Sequence, residues 1–291
     1  MDDLEQLAEQ FEPHRARLRA MAYRMLGSLS ETDDAVQETW LRLSGTDAKS
    51  VENLGGWLTT VLGRVCLNLL RSRNTRQEQP FGLHMPDPLV SSVEGSDPEQ
   101  ESLLADSIGL ALLIVLDTLT PAQRLAFVLH DLFSVPFDEI AEVVDTSPAA
   151  ARQLASRARR LVEQDSQIPD ADPVRQREAV DAFFAASRHG DFAALVAVLD
   201  PDVVLRSDGG PARPAATTVL RGASTVAGQA VTYQQLAPFV RPALVNGTAG
   251  AVIVPRKQAV SVMAFTVRNG KIVAIDVLAD PTRLDQLPLA F

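Results

Sequence analysis

Apolar residues recur at helical spacing through the first stretch of the chain: Leu4, Leu7, Ala8, Phe11, Leu18, Met21, Ala22 and Met25, with Gly27 as a stop. Pro13 interrupts that pattern and predicts a break into two helices. Ser30 stands where it would cap the next helix, with Asp33 and Asp34 in the first turn, where the helix dipole favours acids. That helix carries Ala35, Val36, Trp40 and Leu43 on its apolar face and Asp34, Gln37, Glu38 and Arg42 on its polar one. After a polar, glycine-containing loop at 47–56 comes a long helix. Trp57, Leu58, Val61, Leu62, Val65, Leu69 and Leu70 form its apolar side, and Arg64, Asn68, Arg71, Arg73 and Arg76 the other.

Residues 78–102 break the periodicity. Prolines at 80, 86, 88 and 98 among serines and acids predict a linker. Its piece at 84–89 is expected to be extended, because a residue preceding proline is pushed from the helical region. Helical spacing returns over 102–119. Thr120, Pro121 and Gln123 then form a capping-box pattern with proline at the first helical position, opening a helix to about Leu132.

The stretch 137–162 reads as two short helices with a tight break at Asp145 and Thr146, Ser147 as N-cap and Pro148 at the next position. At 100° per residue, one arc of the second helix holds Leu161, Leu154, Ala158, Ala151, Val162 and Ala155. The opposite arc holds Arg159, Arg152, Ser156, Arg160, Gln153 and Arg157. A helix that packs by small residues and offers guanidinium groups on its far side suits the DNA major groove. Arg forks onto guanine, Gln pairs with adenine, and further arginines hold phosphates. The pattern therefore predicts a helix-turn-helix.

Beyond a proline-containing hinge at 165–172, the pattern predicts a helix over 174–189 and a shorter one to 199. Strand-like runs VVLRS, AVIVPR, AVSVMAFTVRNG and KIVAIDVLAD follow. Asn269-Gly270 between two of them is a hairpin signal. Two helices followed by a curved antiparallel sheet of four or more strands make an α+β domain.

The 291 residues, 46% hydrophobic and 22% charged, fit a soluble protein of two or three domains. The start, MDDLEQLAEQF, is acidic and lacks an apolar signal core, and the apolar run near 108–116 is too short to span a membrane. No membrane association is expected, and the cytoplasm is the expected compartment. Cys66 is the single cysteine, which excludes an internal disulfide and a cysteine-rich metal site. The net charge of −10 is unevenly spread: residues 81–110 carry six acids and no base, whereas arginines cluster in 64–76 and 152–160.

Three ordered blocks resemble an extracytoplasmic-function sigma factor of the sigma-70 family: DDAVQETWLRL, GWLTTVLGRVCLNLLRSRNTRQE and LTPAQRLAFVLHDLFSVPFDEIAEVVDTSPAAARQLASRARR. Residues 173–291 resemble the SnoaL-like cone fold, which some of these factors carry as a fused extension. Three short signatures of that group have counterparts here. His84-Met85-Pro86-Asp87-Pro88 stands for Trp-Leu-Pro-Glu-Pro, Asp208-Gly209-Gly210 for Asp-Gly-Gly-Gly, and Asp280-Pro281-Thr282-Arg283-Leu284 for Asn-Pro-Asp-Lys-Leu. His84 replaces the tryptophan, and Pro211 stands where a third glycine is usual.

The resemblance implies a multidomain chain. Two all-α sigma domains, at 1–77 and 103–164, would be joined by the linker 78–102. The second would carry the helix-turn-helix, and an α+β cone would follow. Asp34, Gln37, Glu38 and Arg42 would bind bacterial core RNA polymerase. Trp57, Arg64, Asn68, Arg71 and Arg73 would hold the melted minus-ten element of promoter DNA, a base-capture and cationic task. Arg152, Gln153, Ser156 and Arg157 would read the minus-thirty-five element, with Arg159 and Arg160 on phosphate. The acidic linker would run through the polymerase interior. Met85, Pro86, Asp87 and Pro88 would contact Asp208, Gly209, Gly210, Asp280, Pro281 and Arg283, so that the cone modulates activity in cis.

No enzyme activity, cofactor or metal is expected, because Asp208 has no companion His–Asp pair. A small-molecule ligand of the cone is compatible with the fold. The rival readings are a one-component helix-turn-helix regulator with a ligand-sensing cone, which leaves 30–76 without a role, and a cyclase-like enzyme, which needs a paired acid and base.

Overall fold

The first apolar repeat forms one helix, α1 (Asp2–Leu26), and Pro13 lies inside it without dividing it. The expected break is corrected by packing: Phe11 is 0% and Leu18 2% exposed, so the turns on both sides of the proline are seated in the core. Burying two such side chains contributes roughly 1.5–3 kcal/mol each, enough to offset the ~3 kcal/mol that an interior proline costs. Gly27 (φ 66°) ends α1. The second helix, α2 (Leu29–Ser44), starts earlier than Ser30 would allow as a cap. Ser28 holds the N-cap position, with no side-chain hydrogen bond to the helix backbone.

The structure is a computed structural model that describes residues 2–46, 51–76, 85–92, 109–165, 172–287 and 289. The chain divides into two units: Met1–Pro80 with Val115–Asp165, and Phe81–Ile114 with Ser166–Phe291.

In the first unit, α1, α2 and α3 (Leu54–Arg76) pack around Phe11, Met21, Met25, Leu43, Leu58 and Leu62. The short helix α4 (Leu110–Leu116) contains the chain position at which the two units divide. The rest of the helix expected over 102–119 falls largely outside the described residues. The capping box opens α5 (Pro121–Phe127): Thr120 Oγ1 accepts from Gln123 N, and Gln123 Oε1 accepts from Thr120 N at 3.0 Å. The helix then widens into a π-helical turn, Val128–Leu132. Next come α6 (Phe137–Val144) and α7 (Pro148–Asp165), with Asp145 left-handed at φ 56° between them. Ser147 Oγ accepts from Ala150 N at 3.2 Å, as an N-cap does. Ala151, Ala155, Ala158 and Val162 are buried where α7 packs on α5, whereas Leu161, expected in the apolar arc, is 42% exposed at its edge.

Two further contacts close this unit. Gly63 of α3 faces Val143 of α6 so closely that a Cβ there would meet Val143 Cγ1 at 2.8 Å. Arg124, a buried residue of α5, pairs with Asp117 and donates to the Arg24 carbonyl of α1 at 3.2 and 3.3 Å. Burial pulls the Arg124 guanidinium below its usual value, and Asp117 opposes that shift.

The second unit is an α+β cone. Helices α8 (Pro173–His189), α9 (Phe192–Val198) and α10 (Ala223–Thr232) pack on a seven-stranded sheet of order β1-β4-β5-β6-β7-β2-β3. The strands are β1 (Val90–Ser91), β2 (Leu199–Asp208), β3 (Thr218–Arg221), β4 (Val240–Val245), β5 (Thr248–Ile253), β6 (Ser261–Arg268) and β7 (Lys271–Leu278). Asp172 and Asp191 cap α8 and α9 with their carboxylates, and Gly190 (φ 65°) makes the turn between the two helices. The core gathers Val180, Phe183, Leu195, Val203, Phe265 and Ile275.

The sheet is mixed rather than wholly antiparallel, because β2 and β7 run parallel. The chain leaves β2 and β3 through α10 for the far side of the sheet. It then returns by the β4–β5–β6–β7 meander, which brings β7 beside β2 in the same direction. Asn269 (φ 53°) and Gly270 (φ 72°) form the expected tight turn between β6 and β7.

Candidate nucleic-acid faces and a linker clamp

On α7, Arg152, Gln153, Ser156, Arg157 and Arg160 are all exposed on the side away from the buried alanines. Arg152 sits over the Phe137 ring at 5.1 Å, and Phe137 stacks on His130 with centroids 3.8 Å apart. This cation–π seat orients the guanidinium while leaving its edge to solvent. Arg159 differs from its neighbours: its Nε donates to Asp131 Oδ1 at 2.8 Å. A tethered arginine holds one orientation and suits a fixed backbone contact better than base reading.

On α3, Arg64, Asn68 and Arg71 are exposed along one stripe, while Trp57 is half-buried at the helix start. Arg64 donates to the Glu142 carbonyl of α6 at 2.9 Å, within the same unit. Arg73 lies off the stripe. It is half-buried, pairs with Glu31, and donates to the Leu26 carbonyl at 2.8 Å. Its position is that of a brace between α3 and the α1–α2 junction. On α2, Asp34, Gln37 and Arg42 are exposed, and Glu38 pairs with Arg42 at 2.9 Å. Leu41 stands 54% exposed on this polar face. Its sequence signal is an apolar residue one turn from Gln37 and Glu38, on the side away from the core.

The second unit brings the linker signature and both cone signatures together. Asp208 Oδ2 accepts from the Met85 backbone N at 3.0 Å and from Arg283 Nη1 at 2.9 Å. Arg283 Nε donates to Asp87 Oδ1 at 2.9 Å, and its Nη2 reaches both Asp87 and the Met85 carbonyl. One guanidinium thus ties two linker groups to one cone carboxylate, a use to which its planar fork is suited. The other oxygen of Asp208 accepts from Gly210 N at 3.0 Å.

Asp280 caps α11 (Pro281–Leu284) by accepting from Thr282 N at 2.9 Å, and Pro281 occupies the first helical position. The glycines let the loop approach closely. A Cβ on Gly209 would collide with the Arg213 carbonyl, and one on Gly210 (φ 61°) would collide with the Asp280 carboxylate. Met85, Pro86 and Pro88 are buried, and Asp87 is half-buried. His84 lies outside the described residues.

Asn246 is a clamp residue that sequence reasoning missed. Its Oδ1 accepts from Leu89 N at 3.1 Å, and its own N donates to the Leu89 carbonyl at 2.7 Å. The linker then runs as β1 along β4, with Val90 opposite Val245 and Ser91 opposite Leu244. Asn246-Gly247 between two apolar runs was the available signal, the same dipeptide type as at 269–270.

Burial also acts on two titratable groups outside the clamp. The Cys66 thiol is pushed up to about 12, with Arg124 and Arg73 opposing. In β7, burial pushes the Asp276 carboxyl above its ordinary value, opposed by Arg206, which pairs with it at 2.7 Å. Among the described residues no group of three or more His, Cys, Asp or Glu is arranged to hold a metal ion, and no helix is long and apolar enough to cross a membrane.

The Sigma-70 region 2 family model matches residues 10–76, and the Sigma-70 region 4 model matches residues 110–162. The chain is 38% identical to the ECF RNA polymerase sigma factor SigJ of Mycobacterium tuberculosis, with 96% of this chain and 94% of SigJ covered. It is 34% identical to the probable ECF RNA polymerase sigma factor SigI of the same organism, over 94% of this chain and 93% of that one. The crystal structure of M. tuberculosis SigJ matches with a TM-score of 0.78 at 35% identity, covering 97% of this chain and 100% of that one.

The chain belongs to the extracytoplasmic-function RNA polymerase sigma factors, transcription initiation factors of the sigma-70 class. Its full-length similarity to SigJ extends that membership through the SnoaL-like cone and makes it a factor of the SigJ type. The family is not enzymatic. The one-component regulator is not favoured, since residues 10–76 match a sigma block with no part in that reading.

Proposed function

We propose that this chain works in the cytoplasm as a promoter-specificity subunit of bacterial RNA polymerase whose cone acts in cis on the interdomain linker. Residues 1–77 bind core polymerase through Asp34, Gln37, Glu38 and Arg42, with Leu41 supplying the apolar contact. Trp57, Arg64, Asn68 and Arg71 hold the melted minus-ten strand by stacking and cationic contacts. In the 103–164 domain, Arg152, Gln153, Ser156 and Arg157 read the minus-thirty-five duplex, and Arg159 and Arg160 hold its phosphates. Arg73 braces α3 rather than touching DNA.

The cone at 173–291 holds residues 85–89 of the linker and so withholds the linker from the polymerase channel. The supporting observation is the Arg283 fork, which joins Asp87 and Met85 of the linker to Asp208 of the cone. The engagement of both Asp208 oxygens supports a positioning role for that carboxylate over acid–base catalysis.

The test is run-off transcription with purified full-length chain and bacterial core polymerase on promoter DNA selected by the holoenzyme. Initiation that requires both components is the expected result. Stable binding of the chain alone to duplex DNA, with no core-dependent initiation, overturns the proposal in favour of a one-component regulator.

A further inference from the structure

The cone carries an open-mouthed cavity of about 470 Å³, within the range of roughly 300–1,000 Å³ usual for small-molecule sites. Its walls are mostly apolar, with Phe183, Phe184, Leu205 and Met263 among them. The rings of Phe183 and Phe184 pack edge to face with each other and with Phe265 behind them, each pair at 5.5 Å. Among the described residues no carboxylate lines the cavity, and the single charged lining residue is Arg213. Arg213 is exposed, and its side chain donates a long bond, 3.4 Å, to the Ala279 carbonyl. An apolar chamber with one cation at its edge selects an apolar body bearing one negative group. A dianion would leave a charge uncompensated against apolar wall, and a cation would meet Arg213.

The cavity wall and the linker clamp are built from the same backbone. Ser207 lines the cavity, and Asp208 beside it holds Met85. Arg213 N donates to the Gly209 and Gly210 carbonyls at 3.2 and 3.3 Å, while Gly210 N donates to the Asp208 carboxylate. Ala279, also in the wall, donates from its N to the Asp208 carbonyl at 2.7 Å and precedes Asp280, the cap of α11. Gly209 lies so close to the Arg213 carbonyl, and Gly210 to the Asp280 carboxylate, that neither has room for a Cβ, so the loop packs residues 208, 213 and 280 against one another.

We propose that the cone cavity is an effector site for an apolar monocarboxylate, aliphatic or aromatic. Its head group pairs with Arg213, and its occupancy is transmitted through the 208–213 loop to the hold on linker residues 85–89. This rests on the linker clamp being the regulatory device proposed above.

The experiment uses the full-length chain and a matched probe set. Octanoate, decanoate, dodecanoate and 2-naphthoate are each compared with the corresponding alcohol by calorimetric titration. Hydrogen exchange of the 85–92 segment is followed in parallel. At least one carboxylate is expected to saturate the wild type and to bind about tenfold more tightly than its alcohol, the lower end of a charge-assisted contact at an exposed arginine. Arg213→Gln, an exposed substitution, should abolish that preference while leaving the alcohol's affinity unchanged. Carboxylate binding should also change exchange at Met85 and Leu89 in the wild type but not in Arg213→Gln.

No saturable binding by any probe, equal affinity for acid and alcohol, or binding with unchanged linker exchange each overturns the proposal. These failures are distinguishable from failure of the sigma-factor reading, because core-dependent initiation is measured without any probe present.

Discussion

Arg283 and Asp87 stand 196 positions apart in the chain, and the guanidinium Nε meets the carboxylate Oδ1 at 2.9 Å. The side chains of the pair are 15% and 16% exposed, so solvent screens the contact only partly. Removing the cation takes away the positive charge that Asp87 and Asp208 share, a change that costs about 2–3 kcal/mol locally after allowance for partial exposure. Arg283→Ala should therefore raise hydrogen exchange at Met85 at least about tenfold. Arg283→Lys should restore part of the protection, since lysine keeps the charge and loses the fork. Unchanged exchange in Arg283→Ala would show that packing of Met85 and Leu89 alone holds the linker.

The two arginine roles on α7 separate in salt dependence. Arg152→Ala should weaken recognition by about 1–3 kcal/mol, concentrated at one base position of the minus-thirty-five element. Arg160→Ala should weaken all sequences alike and flatten the slope of log K against log salt by about 0.9. Fluorescence anisotropy of holoenzyme on point-substituted promoters checks both. An Arg160→Ala variant with an unaltered slope would remove Arg160 from the phosphate contacts.

Leu41 gives a test of the polymerase face that leaves the fold alone. It is 54% exposed on α2, so Leu41→Lys should leave the melting temperature unchanged. It should weaken core binding by about tenfold, as expected of an apolar anchor within a polar interface. A loss of thermal stability in parallel with affinity would make Leu41 a folding residue instead.

Asp276 gives the pH dependence a sign. Its carboxyl is raised by burial, so between the unfolded value of about 4 and the higher folded value the native state holds the extra proton. Its contribution to stability is then fully present below that window and is lost as pH rises through it. The stability difference between wild type and Asp276→Asn, followed by chemical denaturation from about pH 4 upward, should fall with rising pH. A difference that grows with pH would mean that Arg206 outweighs burial and holds the carboxyl down.

The helical half was legible because its periodicity, caps and breakers agree: Thr120 with Gln123, and Asp145 before Ser147, appear in sequence as they do in space. Pro13 misled because a local breaker was overruled by the burial of Phe11 and Leu18. In the cone, the runs with strong β-branched content were visible, and β3, β4 and α10 were not. Pro242 hides β4, because a proline within a run argues against a paired strand. Among the described residues, β1 pairs with β4 at Leu244 and Val245. Pro242 lies beyond these two pairs, opposite Ala251 of β5, in a strand next to the sheet edge. The two-residue strand β1 carries no periodic signal of its own, because it forms where Asn246 and Arg283 pin the linker. The three signatures were each visible, but their meeting depends on contacts between distant parts of the chain, which no local pattern encodes.

The most direct measurement of the central claim is run-off transcription by core polymerase with the wild-type chain and with Arg283→Ala, at matched protein concentration on one promoter. If the cone withholds the linker through Arg283, the variant initiates several-fold more than the wild type, and Arg283→Lys falls between them. Equal initiation by the wild type and Arg283→Ala, or less by the variant, would contradict the claim that the clamp restrains the factor.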